Sequence, residues 1–123
     1  MALSMWMQRP VVPAALSLPA KIVVGSAELD ARVKDLNTHG LAAEIGAASL
    51  GTAQRRALAA GGYVHVKLSL DGRPLVLSGR VFWSNASHAE DARILVELED
   101  LDTAELRRIS AWREEREADL HEV

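Results

Sequence analysis

Residues 64–83 read VHVKLSLDGRPLVLSGRVFW, and this stretch decides the fold. Apolar and polar side chains alternate on both sides of the pair Asp71-Gly72. Alternation with a period of two predicts strands with one buried face. Asp-Gly between such strands is a strong hairpin signal, because both residues tolerate positive φ. The stretch therefore predicts an antiparallel hairpin.

Two residues on the return strand carry more specific expectations. Gly79 interrupts an apolar face that otherwise continues to Trp83, which predicts a bulge or bend at the glycine. Large aromatic residues in register with an apolar face are usually packing residues. We therefore expect Trp83 in the core, and Trp112, further along the chain, at a contact between helix and sheet.

Four other segments have the composition of strands, namely residues 20–24, 29–33, 41–45 and 93–99. Residues 52–60 are rich in alanine and predict a short helix that ends at Gly61-Gly62. Asp102 and Glu105 have the spacing of a capping box, and Leu106, Ile109 and Trp112 or Arg113 follow as an apolar stripe. Six strands and a terminal helix predict a mainly β fold, either a small antiparallel barrel or a strongly curved sheet.

Composition limits the class of protein. The chain has 123 residues, 49% of them hydrophobic, which fits one globular domain. It contains no cysteine, which excludes disulfides and thiolate metal sites and favours a reducing, cytoplasmic location. No apolar run is long enough to insert into a membrane.

Charge and motifs narrow the function further. The net charge is −3, and residues 97–123 carry ten acidic side chains against four basic ones. This acidic end argues against binding double-stranded nucleic acid, which needs a broad basic face. The four histidines have no metal-ligand spacing, and no phosphate-binding loop or nucleophile elbow occurs. We expect no metal site and no enzyme.

The polar sequence DLNTHG at residues 35–40 lies between two of the predicted strands. Asp and Asn side chains can bond the backbone two residues on, and glycine can end such a turn with a positive φ. The same groups can also present donors and acceptors to a ligand at the mouth of the sheet. The turn is thus open to a structural and to a ligand-binding interpretation.

Together with the hairpin, the segment GRVFW at residues 79–83 and the closing strand before a capped helix, this turn resembles that of a PilZ domain. The resemblance covers about residues 16–113 and implies a six-stranded barrel with a C-terminal helix and, in this chain, a short inserted helix. It leaves residues 1–15 as an N-terminal arm and residues 114–123 as a charged tail or helix extension. Many PilZ domains bind cyclic di-GMP through an R-x-x-x-R element before the first strand and a [D/N]-x-S-x-x-G element after the second.

The resemblance implies site residues one by one. Asp35 stands at the acidic position, Asn37 at the serine position and Gly40 at the glycine position. Arg9 is the only arginine before the first strand, and Met5 and Pro13 stand four residues on either side of it. The paired-arginine element is therefore incomplete.

Two further arginines are candidate auxiliary cations for the ligand. Arg55 and Arg56 lie on the predicted alanine-rich helix, in a segment that looks like an insertion into the PilZ pattern. A solvated helix face is the alternative interpretation.

These features predict a signalling adaptor of the cyclic di-GMP effector family that acts through protein contacts, with nucleotide binding weak or lost and no cofactor required. The alternatives are a genuine cyclic di-GMP receptor and a structural or oligomerisation barrel in a larger complex, and a homodimer stays open. Trp6 in the arm, and Arg113 and Glu117 on the last helix, are the candidate partner-binding residues. The resemblance implies partners in motility, surface-appendage or polysaccharide machinery.

Overall fold

The computed structural model describes residues 17–86 and 90–121, and the side chains of residues 117–121 lie outside the description. Six strands and two α-helices make up this part of the chain, as the sequence predicts. The strands are β1 (Leu18–Val24), β2 (Ala27–Leu36), β3 (Gly40–Ile45), β4 (Tyr63–Leu70), β5 (Arg73–Ser84) and β6 (Ala92–Glu99), and the helices are α1 (Thr52–Ala57) and α2 (Thr103–His121).

The six strands form a closed antiparallel barrel in the order β1-β2-β3-β6-β5-β4. Inward-facing side chains of every strand form one hydrophobic cluster, with residues such as Ile22, Val66, Leu77 and Ile94 fully buried. Because side chains alternate across a strand, the polar residues between them face outward. The predicted mainly β barrel with a C-terminal helix and a short inserted helix is confirmed.

The antiparallel order sorts the connections to two ends of the barrel. The turn at residues 36–40, the β4–β5 hairpin and the end of β6 lie at one end, which we call the upper end. Helix α1 and the loop between β5 and β6 lie at the other, lower end. Leu58, at the end of α1, is fully buried in the core, so α1 covers the lower end.

The predicted hairpin forms at Asp71-Gly72. Both residues have positive φ, 51° at Asp71 and 76° at Gly72, which is the backbone of a type I′ turn. Strands β4 and β5 pair in continuous register from Leu70 and Arg73 to Tyr63 and Arg80. The prediction from the alternating pattern is confirmed here.

The prediction of a bulge or bend at Gly79 is wrong. Gly79 pairs regularly with Val64 on one side and with Leu98 on the other. A Cβ atom at this position would lie 2.2 Å from the Glu97 backbone oxygen and 3.0 Å from its carbonyl carbon. Glycine is therefore required because the β6 backbone passes too close for a side chain.

The bulge of β5 lies instead beyond Val81, and it overturns the prediction for Trp83. Val81 pairs with Val96, but the register shifts before Trp83, which pairs with Leu95. The extra residue, Phe82, moves the tryptophan off the inward face that Leu77 and Val81 occupy. Trp83 is 46% exposed rather than part of the core.

Helix α2 begins with the predicted capping box. The Asp102 carboxylate accepts a bond from the Glu105 N–H at 2.7 Å, and the Glu105 carboxylate accepts one from the Asp102 N–H at 3.0 Å. Ile109 and Trp112 are buried in the core as expected, whereas Leu106 is more than a third exposed. No helix in the described ranges has both the length and the apolar composition needed to cross a bilayer.

A substitution of Gly79 by alanine tests the close approach of β6. Gly79→Ala is expected to destabilise the protein by about 1–3 kcal/mol, because the new methyl group meets strand backbone that cannot move aside cheaply. Gly46→Ala is the matched control, since nothing lies within 4 Å of its added Cβ, and it should change stability by less than about 0.5 kcal/mol. Urea unfolding of both variants measures the difference, and equal stabilities would contradict the packing account.

Candidate functional site

The turn between β2 and β3 is organised by one side chain. The Asn37 Oδ1 atom accepts hydrogen bonds from the His39 N–H at 2.7 Å and the Gly40 N–H at 3.0 Å. The Asn37 N–H in turn donates to the Gly40 backbone oxygen at 3.0 Å. This is the Asx geometry that the sequence suggested, and it uses the amide oxygen for structure.

Gly40 differs from expectation. It starts β3 and is not among the residues of the described chain that adopt positive φ. Gly40 is buried and pairs with Glu97 of β6. The turn therefore closes without a left-handed residue, because the side chain of Asn37 supplies the bonds that hold it.

A second bulge determines where Asp35 points. The register of β2 against β3 shifts between Val33 and Asp35, so that Asp35 lies opposite Ala42 and Leu36 opposite Leu41. Residues directly opposite each other share a face of the sheet. Leu36 and Leu41 are both fully buried in the barrel core, and Asp35 lies on the other face with Ala42.

Helix α2 covers the Asp35 carboxylate. The Arg113 Nη1 atom lies 3.0 Å from Asp35 Oδ1 and donates a second bond to the Leu36 backbone oxygen at 2.9 Å. The same Oδ1 also accepts the Leu36 N–H at 2.9 Å. Asp35 is 6% exposed and Arg113 is 8% exposed, so the pair is hidden from solvent.

This buried ion pair joins residues that are 78 positions apart in the sequence. Burying either charge alone is costly, and the attraction between the two offsets that cost only while both are present. Several hydrogen bonds to a buried carboxylate hold it in one position. The site therefore ties the β2–β3 turn to α2.

The structure places the predicted site residues at two ends of the barrel. Asp35, Asn37 and Gly40 lie together at the upper end, and Arg113, which the sequence suggested for partner binding, is buried beside them. Its position four residues after Ile109 puts it on the inward face of α2, which agrees with the stripe that the sequence predicts. In this position the Arg113 guanidinium contacts Asp35 and the Leu36 backbone oxygen, and its role in partner binding stays a prediction.

The auxiliary arginines do not join that cluster. The Arg55 guanidinium donates to the backbone oxygens of Ala86 at 3.0 Å and Glu90 at 3.1 Å, which anchors the β5–β6 loop, and Arg56 is exposed. Helix α1 follows β3, whose rise of about 3.3 Å per residue puts the lower end roughly 16 Å from Gly40. Arg55 and Arg56 therefore lie toward the opposite end of the barrel from the Asp35 carboxylate.

The side chains of three predicted site residues belong to the part of the chain that the structure does not describe. Arg9 and Trp6 lie outside the described residues, as does the side chain of Glu117. The described chain enters β1 at the upper end, where Leu18 pairs with Val33. No group of three or more His, Asp or Glu side chains in the described ranges could hold a metal ion.

A groove of about 800 Å³ lies over β1, β2 and β4, and its charged lining residues are Lys21, Asp30, Arg32 and Lys67. Lys67 pairs with Glu28 at 3.2 Å and Lys21 pairs with Asp30, whose carboxylate raises the pKa of Lys21 above its usual value. These pairs are exposed and contribute little to stability.

Breaking the buried pair tests its structural weight. Arg113→Met is expected to lower the free energy of unfolding by about 3–5 kcal/mol, because it strands the Asp35 carboxylate in a buried position. Arg107→Met, an exposed change on the same helix, should cost less than about 0.5 kcal/mol. Denaturant unfolding compares the two, and an Arg113 variant as stable as the control would show that the pair is dispensable.

Comparisons with known proteins agree with this architecture. The sequence matches the PilZ domain family over residues 8–115. A search of curated proteins found no match. Among solved structures, the PilZ domain of CeSA from a cellulose-synthesising bacterium is similar, with a TM-score of 0.52 and 17% identity over 76% of this chain and 85% of that one.

The PlzA protein of Borreliella burgdorferi, solved in complex with c-di-GMP, is also similar, with a TM-score of 0.53 and 9% identity. That alignment covers 85% of this chain and 47% of PlzA. At these identities the two structures support the fold alone. The family match extends over most of the sequence, and the chain belongs to the PilZ domain family.

Proposed function

We propose that this protein is a PilZ-type signalling adaptor that acts through protein contacts and binds cyclic di-GMP weakly or not at all. The family is one of cyclic di-GMP effectors, so a nucleotide signal is the natural context. The proposal concerns how this member works within that family. The partner belongs to machinery that cyclic di-GMP controls. Motility, surface appendages and polysaccharide synthesis are the candidate classes.

The state of the Asp35 carboxylate carries the proposal. A carboxylate at this motif position can accept from the guanine N–H groups, but here its Oδ1 atom already accepts from Arg113 and from the Leu36 N–H. A ligand would have to displace a buried, charge-assisted bond to reach that oxygen. The Asn37 amide oxygen is similarly committed to the backbone of the turn.

A shortage of positive charge also supports weak nucleotide binding. A dinucleotide with two phosphates is best held by paired guanidinium groups. The sequence offers Arg9 with Pro13 four residues later, where the pattern has a second arginine. At the turn itself, Lys34 lies within 4.0 Å of the Glu44 carboxylate and is partly neutralised.

A genuine cyclic di-GMP receptor is the second candidate, and one observation favours it. The Nδ2 atom of Asn37 is buried and has no hydrogen-bond partner among the described residues, which leaves a donor at the turn for a ligand atom. Arg32, exposed on β2 three residues before Asp35, adds a cation on that strand. The titration below separates this candidate from the adaptor.

Restoring the second arginine tests whether it limits affinity. Loss of one charge-assisted contact costs about 1.5–3 kcal/mol, which reduces a micromolar affinity by roughly tenfold or more. We therefore expect the unaltered protein to bind cyclic di-GMP no more tightly than about 10 μM, and Pro13→Arg to tighten binding at least about tenfold. Isothermal titration calorimetry measures both.

Pro13→Gln is the matched control, because it removes the proline without adding charge, and it should leave the affinity unchanged. Micromolar or tighter binding by the unaltered protein would overturn the adaptor proposal in favour of the receptor. Equal affinities for Pro13→Arg and Pro13→Gln would show that the missing arginine is not what weakens binding.

A further inference from the structure

The bulge of β5 creates an apolar strip on the outside of the barrel. Trp83 lies opposite Leu95 of β6, and Leu95 lies opposite Ala42 of β3, so the three share the outer face. Trp83 is 46% exposed, and the other two are half-buried. We call Trp83, Leu95 and Ala42 the Trp83 strip.

Carboxylates surround the strip. A groove of about 560 Å³ beside Trp83 is lined by Glu44, Glu90, Asp91 and Arg93, together with Ala47 and Asn85. Arg93 lies 3.8 Å from the Glu44 carboxylate, and Asp91 accepts the Ala47 N–H. Lys34 also lies 4.0 Å from the Glu44 carboxylate, so the three carboxylates face two cationic groups and one negative charge is left in excess.

An aromatic ring next to an excess of carboxylates is suited to a cation. A guanidinium or ammonium group over the face of a tryptophan is attracted by the ring, and neighbouring carboxylates add direct ion pairs. An anionic ligand would be repelled by the same groove. Apolar side chains that flank the cation in a bound segment would pack on the apolar side chain of Leu95.

We propose that the Trp83 strip and its groove bind a basic segment of a partner protein, with an arginine or lysine side chain over the Trp83 ring and between the carboxylates of Glu44 and Glu90. The proposal rests on the adaptor function, for which it names the chemistry of the partner. Charge complementarity commits the site to a cationic peptide rather than to a nucleotide.

The test is a titration followed by ¹⁵N NMR of the full chain. The probe is an acetylated and amidated hexapeptide of alternating arginine and glycine, and the matching glutamate peptide is the charge control. We expect the arginine peptide to shift the Trp83 indole N–H and the amides of Glu44, Glu90 and Arg93. The buried Trp112 indole should stay in place, and added salt should reduce the shifts.

Three variants make the site falsifiable. Trp83→Ala should weaken binding of the arginine peptide roughly fivefold by loss of the cation–π contact. Glu90→Gln, an exposed change that does not affect the core, should weaken it roughly twofold. Val76→Ala, which removes an exposed apolar residue from a different part of the barrel surface, should leave the affinity unchanged.

The outcomes separate this inference from the adaptor proposal. No shifts at millimolar arginine peptide, shifts centred elsewhere, equal shifts from the glutamate peptide, or affinities unaffected by Trp83→Ala and Glu90→Gln would each overturn the basic-segment site. A parallel titration with cyclic di-GMP addresses the adaptor itself. Micromolar binding of the nucleotide would overturn the adaptor, and nucleotide shifts at Trp83 without arginine-peptide shifts would overturn both.

Discussion

The buried ion pair between Asp35 and Arg113 is the constraint on which the upper end of this barrel depends. It fixes the last helix to the turn between the second and third strands, and it does so through residues that lie far apart in the chain. The helix contributes Ile109 and Trp112 to the hydrophobic core from the same docking position. Docking of the helix and the conformation of the turn are therefore coupled. Neither can change without leaving a buried charge unpaired or exposing an apolar surface.

The same ion pair gives a structural role to a residue of the PilZ motif. The acidic residue of the family pattern is present, but in this protein it serves as a structural anchor for α2. Asn37 likewise holds the backbone of its own turn. A family motif can thus persist in sequence while its polar groups are used inside the protein, and this is why motif residues alone do not establish ligand binding.

The elements that sequence predicted well are those with local causes. The hairpin depends on Asp71-Gly72, which adopts two positive φ angles, and the start of α2 depends on Asp102 and Glu105, which are three residues apart. Strand alternation likewise placed the core faces of β4 and most of β5 correctly. In each case a few neighbouring residues determine the geometry without reference to the rest of the chain.

The failures arise where two distant strands decide the outcome. The register shifts at Phe82 and near Lys34 reverse the faces of the residues that follow, so Trp83 and Asp35 turn outward and Leu36 turns into the core. Neither shift has a marker such as glycine at the position where it occurs. Gly79, which has that marker, is needed for the approach of the Glu97 backbone instead. The stripe on α2 predicts an inward position for Trp112 or Arg113, but helix spacing cannot identify the carboxylate partner of Arg113, which lies 78 residues away. Closure of the barrel has one more consequence, since each of the six described strands has a neighbour on both sides and none of them offers an edge for a partner to extend. On the strands of this scaffold, binding specificity then depends on the outward-facing side chains. These can be exchanged without disturbing the backbone hydrogen bonds between the strands.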